Sequence, residues 1–101
     1  MIHVIASIGV KPGKRPEFIE IFKKNVPNVL AEKGCIDYIP AVDTESGIEV
    51  QRKDETVVTV IEKWESIEAL HAHLASPHME QYQADVADLV EDVSLTVLEN
   101  A

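Results

Sequence analysis

The chain has 101 residues, 46% of them hydrophobic, with 9 basic and 18 acidic side chains and a formal net charge of −9. That length points to one domain spanning residues 1–101, and the acidity opposes nucleic acid or an anionic membrane as partner because like charges repel. Cys35 is the lone cysteine, which excludes a disulfide framework within the chain, and no apolar run approaches the ~20 residues that a membrane-spanning helix needs.

The start, Met1-Ile2-His3-Val4-Ile5, shows neither a basic leader nor a small-residue cleavage site. A cytoplasmic location is therefore expected by elimination. A domain this small buries only a modest share of its surface. Its surplus apolar residues predict a homodimer.

Residues 2–10 read as a strand that ends at the turn signal Lys11-Pro12-Gly13. One face carries Ile2, Val4, Ala6, Ile8 and Val10, and it is predicted to be the face packed dry against a partner. The other carries His3, Ile5, Ser7 and Gly9, a mixture suited to a pocket wall. Residues 15–33 read as a helix with Pro16 in its first turn and a stripe of Phe18, Phe22, Val26, Val29 and Leu30. Pro27 predicts a kink or a division, and Gly34 a helix stop.

Residues 35–43 read as a second strand, with Pro40 arguing for an edge or a bulge. Residues 48–55 either extend a hairpin or form a loop. Residues 56–64 are the strongest strand in the chain, with Val58, Val60, Glu62 and Trp64 on one face. Ser66 is a suitable cap for a helix over 67–75 whose stripe is Ile67, Leu70 and Leu74. Ser76-Pro77 restarts a helix that runs to about Leu89, with Met79, Tyr82, Val86 and Leu89 or Val90 inward, and residues 92–99 alternate as a final strand. The order strand, helix, strand, strand, helix, strand predicts an α+β fold of the ferredoxin-like, split βαβ kind. Its antiparallel sheet would carry helices on one face, and the bare face would pack against a second copy as a dimeric α/β barrel.

The chain has no G-x-S-x-G elbow, phosphate-binding loop or dinucleotide fingerprint. His71 and His73 are two apart, so a regular helix sends them to different sides; no metal site is expected from them. His71 and His78 read as partly exposed helix residues. His73 flanks the helix stripe where helix meets sheet. There it either exchanges protons near neutral pH or simply bonds a neighbouring carbonyl. Trp64 reads as core, interface or one wall of an aromatic site. Glu62 either faces a pocket or pairs with Arg52, Lys63 or a partner chain, and pairing is the expected reading. Ser7, Tyr38 and Tyr82 are candidate pocket hydroxyls. Cys35 has no basic neighbour to lower its pKa, so it reads as structural.

Two segments carry a family resemblance. Glu32-Lys33-Gly34-Cys35-Ile36-Asp37-Tyr38 resembles the E-x-G-C-x-x-Y passage of the antibiotic biosynthesis monooxygenase family. Ile61-Glu62-Lys63-Trp64-Glu65-Ser66-Ile67-Glu68-Ala69-Leu70, running on to His73 and Ser76-Pro77-His78, resembles its E-x-W-x-S-x-E-A-L-x-x-H-x-x-S-P-H stretch.

The resemblance implies a homodimer with a pocket between helices and sheet in each subunit. It implies oxygenation of a quinol or polycyclic phenol by molecular oxygen without metal, flavin or other cofactor. His73 would be the catalytic base, and Trp64, Ser7, Tyr38 and His78 would contact the substrate. A haem-degrading branch of the family differs at the positions that align with Ser7, His73 and Gln83. An isomerase branch, acting on a small phosphorylated or hydroxyketone metabolite, would want basic pocket residues; Lys11, Lys14, Lys23 and Lys24 are available. A non-catalytic ligand-binding module is the third alternative.

Overall fold

The structure is a computed structural model that describes residues 1–101. Four strands and three helices follow one another as β1 (Ile2–Val10), α1 (Arg15–Leu30), β2 (Cys35–Ala41), β3 (Val57–Trp64), α2 (Ile67–Leu74), α3 (Pro77–Val86) and β4 (Val90–Glu99). The strands form one antiparallel sheet in the order β2-β3-β1-β4. This is the α+β, ferredoxin-like arrangement that the element order predicts. No helix is long and apolar enough to cross a membrane.

The helices cover one face of the sheet. Val4, Ala6, Ile8 and Val10 of β1 and Val58, Val60 and Trp64 of β3 are buried there beneath Phe18, Phe22 and Val29 of α1. The assignment of the β1 faces is thus the reverse of the expectation. The wholly apolar face lies under this chain's own helices, and the mixed face of His3, Ile5, Ser7 and Gly9 is the uncovered one. Alternation separates the two faces of a strand but says nothing of which one the helices cover. The open face still carries a row of Ile39, Ile61 and Ile5 in direct register, each at least about a third exposed (49%, 44% and 36%).

Several local details follow from backbone chemistry. Pro27 neither divides α1 nor ends it; the helix is one element, and Ala31 N–H donates to the Pro27 carbonyl at 3.1 Å. Proline forfeits only the one helical bond that its N–H would have made, to the Lys23 carbonyl, and the helix continues one turn past it. Leu30, expected in the stripe, points outward at 49% exposed. Pro40 lies in an edge strand, as its missing N–H requires. The register shift of β2 falls at Cys35/Asp37 instead of at Pro40. Residues 48–55 form no strand. Gly34 has φ +87, and a Cβ there would sit 2.6 Å from the Ala69 Cβ. Glycine is needed at this position both for the left-handed turn and for the close approach of α2.

Candidate functional site

The sheet supplies the floor of a cavity of about 490 Å³ beneath α2 and α3. Rows registered across the sheet mark its two ends. Tyr38 and Glu62 line one end, in register with Val4 and Val97, and Ile8 and Val93 line the other, in register with Val58. Four residues separate Val4 from Ile8, so the rows lie about 13 Å apart along the strands. Thirteen of the sixteen lining residues are hydrophobic, and none is Lys or Arg. Val93 and Leu95 on the edge strand β4 line one side and are about half exposed, which places the opening there.

His73 comes into this cavity by helical spacing. Ser66 caps α2 by accepting the Ala69 N–H at 3.1 Å. Leu70 and His73, three residues apart, then share the buried face, while His71 stays exposed. Ser76 does not cap α3 with its side chain; its hydroxyl donates instead to the His73 carbonyl at 2.8 Å and fixes the corner between α2 and α3. The His73 ring is 2% exposed.

The His73 Nδ1 atom meets Glu32 Oε2 at 2.8 Å. Glu32 arrives from the turn that follows α1, where its N–H bonds the Val29 carbonyl. A carboxylate only accepts, so Nδ1 carries the proton and Nε2 is left to a bound molecule. Burial lowers the His73 pKa below 6.5, and the Glu32 hydrogen bond and charge oppose that fall. The imidazole is therefore neutral at neutral pH, as a proton acceptor must be.

Glu62 is the second titratable group in the cavity. It is 7% exposed, and its Oε1 accepts the Trp64 Nε1–H at 3.0 Å. Burial pushes its carboxyl up to about 7, against the Trp64 hydrogen bond and with help from the charge of Glu32. It pairs with neither Arg52 nor Lys63, so the expected ion pair is replaced by an indole hydrogen bond inside a pocket. Burial also raises the Tyr38 and Tyr82 hydroxyls above their ordinary 10, which keeps both protonated. Phe22 stacks on Tyr38 with centroids 5.3 Å apart and meets Tyr82 edge-on at 5.6 Å, giving the cavity a continuous aromatic wall.

The other residues singled out by sequence fall in different places. Tyr38 lines the cavity. Trp64 is fully buried and lies behind it, tilted against His73 with centroids 4.7 Å apart. Ser7 does not reach the cavity, because it alternates with Ala6 and Ile8 onto the open face and pairs there with Thr59 and Ser94. His78 lies in a separate polar groove of about 480 Å³ between α1 and α3, beside Asn25, Asn28 and Asp85. Its Nε2 is 3.4 Å from Glu32 Oε2 without hydrogen-bond geometry. The groove matches the cavity in volume, but only the cavity gathers buried titratable groups against an apolar wall. Cys35 is a thiol pushed up to about 11 by burial and by Glu32, in line with a structural role. Sequence reasoning passes over Glu32 and favours an ion pair for Glu62, although each opens one of the two family-like motifs.

Comparison with known proteins places these features in context. The sequence profile of the antibiotic biosynthesis monooxygenase family matches residues 1–85. The chain is 40% identical over 101 residues to the "Probable quinol monooxygenase YgiN" of Escherichia coli K12, covering 98% of this chain and 97% of that protein. Among solved structures, Rv0793 from Mycobacterium tuberculosis is 27% identical with a TM-score of 0.80, covering 99% of this chain and 94% of the other. Protein SO0527 from Shewanella oneidensis is 28% identical with a TM-score of 0.79, over 96% and 87% of the two chains. With profile, fold and both motifs in agreement, the chain belongs to the antibiotic biosynthesis monooxygenase family.

Proposed function

We propose that this chain is a cofactor-independent monooxygenase that oxidises a quinol or polycyclic phenol with molecular oxygen, and that His73 is its base. The observation that carries the reading is the Glu32–His73 pair, which offers a neutral imidazole nitrogen to an apolar, aromatic-walled cavity. His73 Nε2 takes the phenolic proton. The resulting quinolate is electron-rich enough to reduce oxygen itself, and the protein contributes orientation, dryness and a proton acceptor. The balanced outcome is quinol plus O₂ giving hydroxyquinone plus water. Tyr38 contacts the substrate, and Trp64 holds His73 and Glu62 from behind.

The 40% identity to a protein named for quinol oxygenation supports the same reading. The isomerase alternative calls for cations to hold a phosphate. The cavity lining contains none, and Lys11, Lys14, Lys23 and Lys24 all lie outside it. A pure binding module is the outcome if ligands stabilise the fold without turnover. We further propose that residues 1–101 act as one unit that pairs into a homodimer through the isoleucine row of the open face, in the cytoplasm.

The test is oxygen consumption with chemically reduced menadione-like quinols. The expected result is enzyme-dependent uptake that resists chelators and falls at least 100-fold in His73→Ala. Autoxidation at the same rate with and without protein, across a broad quinol panel, overturns the proposal.

A further inference from the structure

Of the three polar side chains that line the cavity, Glu62, His73 and Gln83, the two that titrate meet at one end. Glu62 is bonded to Trp64, whose ring lies 4.7 Å from that of His73, and Tyr38, directly opposite Glu62 across the strands, meets His73 edge-on at 5.4 Å. Glu62 and His73 are thus bracketed by the same two rings and converge on one end of the pocket. About 13 Å further along the strands the lining is Ile8 and Val93. Trp64 occupies Glu62 Oε1, which leaves Oε2 for a ligand. A carboxyl that is 93% buried with one oxygen unengaged is costly unless it carries a proton or meets a partner.

We propose that Glu62 is a second catalytic residue, an acid that works beside the His73 base on the oxygen adduct of the quinol. The inference rests on the monooxygenase reading above. His73 takes the quinol O–H proton, and O₂ adds to a ring carbon bearing hydrogen, giving a peroxide anion. Protonated Glu62 gives its proton to the outer peroxide oxygen. The Glu62 carboxylate then removes the ring C–H proton. That C–H electron pair becomes the new C=O bond as the O–O bond breaks, and hydroxide departs with the O–O pair. His73 protonates the hydroxide to water. Both residues return to their starting states, and one oxygen atom stays on the ring.

The polarity of the pocket also selects the substrate. The oxygenated edge of the ring lies between Glu62 and His73, and an apolar fused ring or short alkyl arm extends toward β4. The titratable groups around Glu62 are Glu32 from the turn after α1, Cys35 and Tyr38 from β2, His73 from α2 and Tyr82 from α3. No cation among the lining residues holds Glu62 ionised, and its carboxyl, raised to about 7, keeps a substantial protonated share at neutral pH.

The test is the fate of the oxygen. Wild-type protein with reduced menadione should yield close to one hydroxyquinone per O₂ consumed. Glu62→Gln keeps an acceptor for Trp64 but can neither give nor take the proton, so the adduct should expel hydrogen peroxide and leave plain quinone. Its oxygen uptake should fall severalfold, and its hydroxyquinone yield should drop below about one tenth, hydrogen peroxide making up the balance. Glu62→Asp should restore part of the yield, and the wild-type yield should decline as pH rises through about 7. Equal yields in wild type and Glu62→Gln overturn the role of Glu62 alone. Should the Gln variant not fold, a pH-independent wild-type yield does the same. Absence of enzyme-dependent uptake in the wild type overturns the monooxygenase reading and this role with it.

Discussion

Glu62 leaves a signature in stability that is independent of turnover. Burial raises its carboxyl from an ordinary 4.5 to about 7, so the native chain binds a proton between those pH values that the unfolded chain does not. A raised carboxyl stabilises fully below about 4.5, and that contribution is lost as pH rises through about 7. At 1.36 kcal/mol per pH unit, the 2.5-unit interval sets a ceiling of about 3 kcal/mol. Water entering the cavity reduces this, so roughly 1–3 kcal/mol is expected. Glu62→Gln mimics the protonated acid and keeps the Trp64 hydrogen bond, but it carries no titration. Urea unfolding of both proteins at pH 5, 6, 7 and 8 isolates the effect, because every other titrating group is common to the pair. The Gln variant should gain relative to wild type as pH rises, by about 1–3 kcal/mol between pH 5 and pH 8. A difference that stays constant within about 0.5 kcal/mol across that range would show that Glu62 is well solvated, and the acid role would lose its physical basis.

Three further outcomes are expected. Glu32→Gln replaces a charge-assisted bond to His73 Nδ1 with a neutral one, and losing about 1.5–3 kcal/mol should lower quinol kcat/KM roughly 10- to 100-fold. Burial lowers the His73 pKa and Glu32 opposes that fall, so without the Glu32 charge the acidic limb of the pH–rate profile should move to still lower pH; an unmoved limb argues against the pair. Gly34→Ala forces a side chain into a left-handed turn and against Ala69, and should destabilise the fold by about 1–3 kcal/mol in urea unfolding, with a loss below about 0.5 kcal/mol contradicting the packing. His78→Ala empties a position in the outer groove and should leave turnover within about threefold, whereas a loss beyond tenfold would bring that groove into the site.

The fold was legible because its signals are local. β1 falls at residues 2–10 as expected, since a β-branched run stops at a Pro-Gly turn. Ser66 and the Ser76-Pro77 restart mark helix ends through backbone hydrogen bonding that depends on a few neighbours. The strand alone does not tell which face of β1 is covered, because both faces carry enough apolar surface to be covered. What decides between them is the stripe of α1, with Phe18 and Phe22, and that contact is long-range. Ser7 fell out of the pocket for the same reason: its side of the strand went with the open face.

The site shows a different kind of limit. His73 was accessible from spacing because a residue three positions from a buried leucine on a helix shares its face. What spacing could not supply was Glu32, forty-one residues earlier, which turns an ordinary buried imidazole into one with a fixed tautomer. Glu62 was in plain view between Val60 and Trp64 on the inward face of the strongest strand, and its position there contradicted the hydrophobic pattern. Of the cations that the sequence offers, Lys63 cannot reach it, because a strand sends adjacent side chains to opposite faces. An inward carboxylate with no cation in reach has two ways to avoid the cost of burial, a proton or a polar ligand. A pocket that supplies both at different moments of a reaction is where a sequence can keep such a residue.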